Sequence, residues 1–209
     1  MALNSLSVRA LRRSATIILA GGLLSGTAVA EPRSYTIDPD HFSIGFKVEH
    51  IGYASILGLF LKGAGEFVYD EENRQLVSGR VVVAADSAFS NHKARDNHIR
   101  ESDFLDAKHY PEIIFEATGY TPTSPASGKL AGKLTLLGQT RPVSLDITLN
   151  KAASYPFGHG RHTLGLSAST TIRRSQWGMN YGVERALVGD EVLLNFEFEA
   201  TKQNAQPPK

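Results

Sequence analysis

An all-β fold of eight or nine antiparallel strands with one short helical crossover, a barrel in preference to a sandwich, is what this 209-residue sequence predicts. Three observations carry the expectation. Apolar and polar residues alternate with a period of two over most of the chain, which gives each strand one apolar face. Short turn-forming stretches separate the runs, and connections of that length favour antiparallel neighbours. One charged segment, Asn91 to Leu105 (NHKARDNHIRESDFL), breaks the alternation and reads as helix.

From the amino terminus, residues 1–30 carry Arg9, Arg12 and Arg13, then the apolar run Ala15 to Leu24, then Ala28-Val29-Ala30. This is the pattern of a secretory leader, cleaved after Ala30; the apolar run is too short to span a bilayer. The Arg12-Arg13 pair alone is a weak match to twin-arginine export, and the general secretory route is favoured. Removing the leader takes away three of the 22 basic residues and none of the 21 acidic ones, so 31–209 carries a net charge of −2. Such a balance argues against a nucleic-acid partner. With no cysteine, the exported domain has no disulfides, thiolate metal sites or cysteine nucleophile. A single domain of this size buries enough core without them. No second long apolar segment follows, so solubility with at most transient membrane contact is expected.

The first long strand places Phe42, Ile44, Phe46 and Val48 on one face, after a shorter candidate at Tyr35 to Ile37. Gly65 to Tyr69 is a second short candidate. The same parity recurs at Val77, Gly79, Val81 and Val83, at Ile113, Phe115 and Ala117, at Leu130, Gly132, Leu134 and Leu136, and at Val143, Leu145, Ile147 and Leu149. It returns at Leu164, Leu166, Ala168, Thr170 and Ile172, and at Val192, Leu194, Phe196 and Phe198. Turns are expected at Asp70 to Asn73, Gly119 to Gly128, Leu137 to Thr140 and Tyr155 to Gly160, and a frayed tail over Lys202 to Lys209. Strands with one apolar face each must stack as a sandwich or close as a barrel. Glycines inside strands at Gly45, Gly79 and Gly132 favour the barrel, although sandwiches carry them too. In the helical segment Ser90 is the expected N-cap and Asp103 the cap of a second short turn before Tyr110-Pro111. Ile99, Phe104 and Leu105 are expected to face the core, with Lys93, Arg95, Asp96 and Arg100 in solvent or paired with each other.

Candidate chemistry is sparse. Neither His92 with His98 nor His159 with His162 has a specific metal-ligand spacing, and the HGRH loop lacks a sequence-adjacent carboxylate, so no metal is expected. There is no G-x-S-x-G, H-E-x-x-H or phosphate-loop sequence. Acids and histidines cluster at Asp96, His98, Glu101 and Asp103, and a solvated helix face explains the cluster more simply than hydrolysis or isomerisation. His50 continues the inward parity of the first strand to the rim of the interior. The apolar run Ile51 to Leu61, with Trp177, Met179 and Tyr181, either plugs the barrel ends or lines the mouth of a cavity.

The stretches YTIDPDHFSIGFKVEHIGY (35–53), NHKARDNHIRESDFLDAKHYPEIIFEAT (91–118), GKLTLLGQTRPVSLDI (132–147), RRSQWGMNY and VGDEVLL together resemble the YceI-like family of lipocalin-like, polyisoprenoid-binding periplasmic proteins. The resemblance implies a lipocalin-like extended antiparallel β-barrel of about eight strands with one short helical crossover, and a periplasmic, non-enzymatic carrier, often a homodimer, whose barrel holds an isoprenoid lipid or a prenyl quinone and needs no cofactor. It makes Phe42, Phe46, Val48, Phe67, Val81, Phe115, Leu134, Leu145 and Phe196 candidates for the ligand-binding interior. His50, Ile99, Phe104 and Trp177 become candidates for its mouth and lid. The rival expectations are an enzyme using Asp96, His98 and Asp103, and a stress-response protein whose cavity is filled by its own side chains.

Overall fold

The computed structural model describes Met1 and residues 31–204. The leader is therefore outside the described residues apart from Met1, as is the tail beyond Asn204. The elements are β1 (Arg33–His50), β2 (Ala54–Phe60), β3 (Gly63–Asp70), β4 (Gln75–Ala84), β5 (Ala88–Phe89), α1 (Lys93–Arg100), β6 (Glu112–Pro122), β7 (Ser127–Leu136), β8 (Gln139–Ser154), β9 (His162–Arg173) and β10 (Val188–Lys202). Neighbouring strands run antiparallel in the order β10-β9-β8-β7-β6-β4-β3-β1, and β1 pairs back onto β10, which closes the barrel. Closure decides between the two architectures left open by the alternation, and among the described residues the edge that remains is that of β2, which beyond β1 pairs only with the two residues of β5.

β1 is the longest strand because the short candidate at Tyr35 and the run from Phe42 are one element. It pairs with β3 through Arg33 to Thr36 and with β2 through Ile44 to His50. β2 fell within the stretch read only as surplus apolar residues. Its alternation is hidden because both faces are apolar: Ile56 and Phe60 point inward while Leu57, Leu59 and Leu61 remain exposed. The two-residue β5 extends β2 at its other edge.

Bulges account for the departures from simple parity. Val68 pairs with Ser78 but Tyr69 with Leu76, so Val77 is the extra residue and turns outward to 63% exposure, while Leu76 takes the inward position expected of it. β6 continues through Gly119 to Pro122 instead of turning at Gly119, with a second bulge between Ala117 and Gly119. At Leu137-Gly138 two consecutive positive φ angles, 49° and 68°, make the tight turn that joins β7 to β8. Lys202, assigned to the frayed tail, is instead the last residue of β10, opposite Tyr35.

The core divides into two clusters. At one end Tyr35, Ile37, Leu164 and Ala200 pack with Phe67 and Tyr69, and the Tyr35 and Phe67 rings stack at 5.1 Å. At the other, Trp177, Leu134, Leu136, Leu105, Met179 and Ile172 pack beneath α1 and the segment after it. Glu71 ties the first end together. It accepts from the Tyr35 hydroxyl, lies 2.9 Å from His162 Nε2 and accepts from Lys202 Nζ at 3.1 Å, so the β3–β4 turn is bound to β1, β9 and β10. Burial raises the Glu71 carboxyl, but the hydrogen bonds from Tyr35, His162 and Lys202 outweigh it and hold the group below its ordinary value.

Candidate binding cavity

Between the two clusters the barrel encloses a cavity of about 450 Å³. The inward parity of β1 supplies its wall with Phe42, Ile44, Phe46 and Val48, and β10 supplies Val192, Leu194, Phe196 and Phe198 from the paired strand. Close packing of the wall uses side-chain-free positions, Gly58 and Gly132 among them. The Phe46 ring lies over Gly58 and the Phe115 ring over Gly132, where an added Cβ would stand 2.1 and 2.3 Å from ring carbons.

Of the nine interior residues expected from sequence, Phe42, Phe46, Val48, Val81, Phe115, Leu134, Leu145 and Phe196 line this cavity. Phe67 does not; it packs in the closed-end cluster against Tyr35. Among the expected mouth and lid residues, His50, Ile99 and Phe104 line the cavity. Trp177 is 1% exposed and sits in the core beneath the opening, donating its indole N–H to the Leu134 carbonyl at 3.1 Å. It is a plug rather than a lid, because burying an indole requires an acceptor and the β7 carbonyl supplies one.

The helical segment departs from expectation in four respects. α1 ends at Arg100, and its N-cap is His92, whose Nδ1 accepts from the Arg95 N–H at 3.3 Å. Ser90 instead donates its backbone N–H and its hydroxyl to Asp96. Asp96 is thus buried, not solvated: burial raises its carboxyl, and the hydrogen bonds from Ser90, with the His92 backbone and the Arg100 charge beside them, outweigh that and hold it low. The following turn closes on Asp106, not Asp103, with Ala107 N–H bonded to the Arg100 carbonyl and Tyr110 N–H to that of Asp106. Arg95 and Arg100 turn inward. Arg100 donates to the Ala88 carbonyl at 2.7 Å, and Arg95 holds the Ser90 hydroxyl and carbonyl, both at 2.7 Å, while lining the cavity.

Polar groups therefore meet the cavity at one end. His50 stands at the exposed rim, and Arg95, His98, Arg174 and Tyr181 surround the opening. His98 Nε2 is 2.8 Å from the Asp103 carboxylate, with its ring edge-on to Phe104 and Tyr181, each at 5.0 Å. Arg174, 2% exposed, donates to the carbonyls of Gly189, Met179, Tyr181 and Val188 and lies 5.7 Å over the Phe104 ring, which holds the segment between Trp177 and β10 against the opening. Burial lowers its guanidinium from the ordinary arginine value. Sequence reasoning missed Arg95 and Arg174, since a charged residue carries no inward signal until its backbone acceptors are placed. The expected acid/base cluster is divided: His98 and Asp103 pair at the opening, whereas Asp96 is spent on Ser90.

A family model described as YceI-like domain matches residues 35–200. A UPF0312 protein of Pseudomonas putida strain W619 is 33% identical over 171 residues, covering 81% of this chain and 88% of its own. The crystal structure of Burkholderia cenocepacia BcnA superposes with a TM-score of 0.71 at 21% identity, covering 79% of this chain and 99% of BcnA. A structure described as a polyisoprenoid binding domain from Saccharophagus degradans, implicated in plant cell wall breakdown, gives a TM-score of 0.61 at 10% identity, covering 82% of this chain and 99% of that domain.

Proposed function

The chain belongs to the YceI-like family, and from that premise we propose that it is a periplasmic binding or carrier protein for a long isoprenoid lipid or a prenyl-tailed amphiphile such as a quinone. One observation carries the reading: a cavity of about 450 Å³, walled by aliphatic and aromatic side chains, with its polar groups gathered at one end. That is the shape of an amphiphile's site. A volume within the roughly 300–1,000 Å³ of ordinary ligand pockets also speaks against an interior filled by its own side chains. The polyisoprenoid binding described for the Saccharophagus degradans domain, on the same fold, points to the same ligand class.

Binding follows from elementary terms. Each CH2 equivalent moved from water into the cavity contributes about 0.8 kcal/mol, so a few isoprene units bind tightly without a strong polar contact. Discrimination among amphiphiles then falls to the opening, where Arg95 and Tyr181 offer donors and His98, oriented by Asp103, offers an exchangeable proton. No chemical step is needed for this role. Export by the leader would place the protein between the membranes, where a lipid tail in transit must be shielded from water.

Native mass spectrometry of the protein purified from its host tests the reading. A co-purifying isoprenoid, or stoichiometric uptake of an added prenyl quinone, is the expected result. A mature protein that carries no lipid and takes up no prenyl quinone overturns it.

A further inference from the structure

At the closed end, on the outside of the barrel, the β1–β10 ladder is interrupted. Ile37 pairs with Ala200 and Phe42 with Phe198, so Asp38, Pro39, Asp40 and His41 stand opposite Glu199 alone. A bulge of that size re-aims side chains. Here it brings the His41 ring to Asp38 and Glu199: Nδ1 is 2.7 Å from Asp38 Oδ2 and 3.8 Å from Glu199 Oε2. Their ligand atoms all lie within 4.8 Å of one another. Other histidines paired with carboxylates among the described residues, His98 with Asp103, His109 with Asp106 and His162 with Glu71, each meet one carboxylate. His41 meets two, and one imidazole nitrogen has a single proton with which to satisfy them.

We propose that Asp38, His41 and Glu199 form a binding site for a divalent first-row transition ion, with zinc as its representative, that staples the seam where β1 and β10 close the barrel. Ligands about 2.0–2.2 Å from a tetrahedral zinc stand about 3.4 Å apart, so the two observed separations need change by only several tenths of an ångström. One nitrogen and two carboxylate oxygens suit zinc and its neighbours better than calcium or magnesium, which prefer oxygen alone. The groups behind the ligands are also placed. Asp38 Oδ1 accepts the Asp40 N–H at 3.1 Å, which leaves Oδ2 for the ion. His159 is not a ligand, because its Nδ1 accepts the Arg161 N–H at 3.0 Å and the neutral ring then carries its proton on Nε2. Water completes the coordination.

The test is zinc binding by the mature protein, measured by competition with a chromogenic chelator and by isothermal titration, together with the zinc-dependent change in Tm. Wild type is expected to bind one zinc ion and to melt higher with it. His41→Ala and Glu199→Gln should each lose that ion and the Tm rise, while His109→Ala keeps both. Melting without zinc shows that each exposed-site variant is folded. Absence of stoichiometric zinc in wild type, retention of the ion by His41→Ala, or equal loss in His109→Ala overturns the proposal. Prenyl-quinone uptake is read separately, and neither result depends on the other.

Discussion

Ala168→Trp on β9 should convert a long-tail binder into a short-tail binder. Ala168 is 6% exposed, lines the cavity and lies between Ile147 of β8 and Phe196 of β10, belonging to neither core cluster. An indole there projects into the void at mid-depth. Because the space is open, the overpacking penalty of a filled core, about 1–3 kcal/mol, is an upper limit on its cost to stability. The cost to binding is larger. An isoprene unit of five carbons, at about 0.8 kcal/mol per carbon, contributes about 4 kcal/mol, so each unit excluded by the block weakens Kd by about a thousandfold. Titration of prenyl quinones of increasing tail length, followed by quenching of intrinsic fluorescence and by native mass spectrometry, reads the effect. Wild-type affinity should keep rising with tail length, whereas the variant's should level off once the tail reaches the indole. A folded Ala168→Trp protein that binds long tails as wild type does refutes the reasoning, since the tail then lies elsewhere.

Three further outcomes follow from the geometry. Glu71→Gln should destabilise the barrel by about 1–3 kcal/mol at pH 7, because charge-assisted hydrogen bonds are lost at the closed end. The folded Glu71 carboxyl is depressed, so its contribution is fully present above the unfolded value of about 4.3 and is lost as pH falls through the folded one. Denaturant unfolding from pH 7 to 3 should show the two proteins converging in acid, and a constant gap contradicts the assignment. Trp177→Phe leaves the Leu134 carbonyl without its side-chain donor and should cost about 1–3 kcal/mol in chemical unfolding with prenyl-quinone Kd unchanged; a large loss of affinity at unchanged stability would return Trp177 to the lid. Gly132→Ala places a Cβ 2.3 Å from the Phe115 ring and 2.7 Å from the Glu116 carbonyl, and should cost about 1–3 kcal/mol, read as a lowered denaturation midpoint.

The inward residues of β1, β7, β8, β9 and β10 were legible because one buried face imposes a strict period of two, and most of the cavity wall follows from that pattern. Its failures have a common cause: a bulge shifts parity by one residue. Val77 and Leu76 exchange faces, and the break at 38–41 splits β1 into two apparent strands. β2 escaped notice because Leu57 and Leu59 make its outer face apolar as well. The helical segment was located correctly and turns Ile99, Phe104 and Leu105 to the core as expected, but Arg95, Asp96 and Arg100 are not on its solvated face. Nothing local distinguishes an Asp96 held by Ser90 from one in solvent, or an Arg95 that lines a cavity from one that does not. Phe67 has the right parity for the interior, yet its height along the barrel puts it in the closed-end cluster. The HGRH loop lacked a carboxylate in sequence, and the fold brings one, Glu71, to His162 from the β3–β4 turn.

The central claim, that a lipid tail occupies the barrel interior with its head at the α1 end, is tested most directly by photocrosslinking. A prenyl analogue carrying a diazirine at its tail end would be bound, irradiated and mapped by peptide mass spectrometry. Adducts on wall residues such as Ile37, Phe42, Leu145 and Phe198 are expected, and should disappear in Ala168→Trp. Adducts confined to the exposed outer residues Tyr53, Leu57, Leu59 and Leu61 would contradict the account, because they would place the lipid on the surface of the barrel.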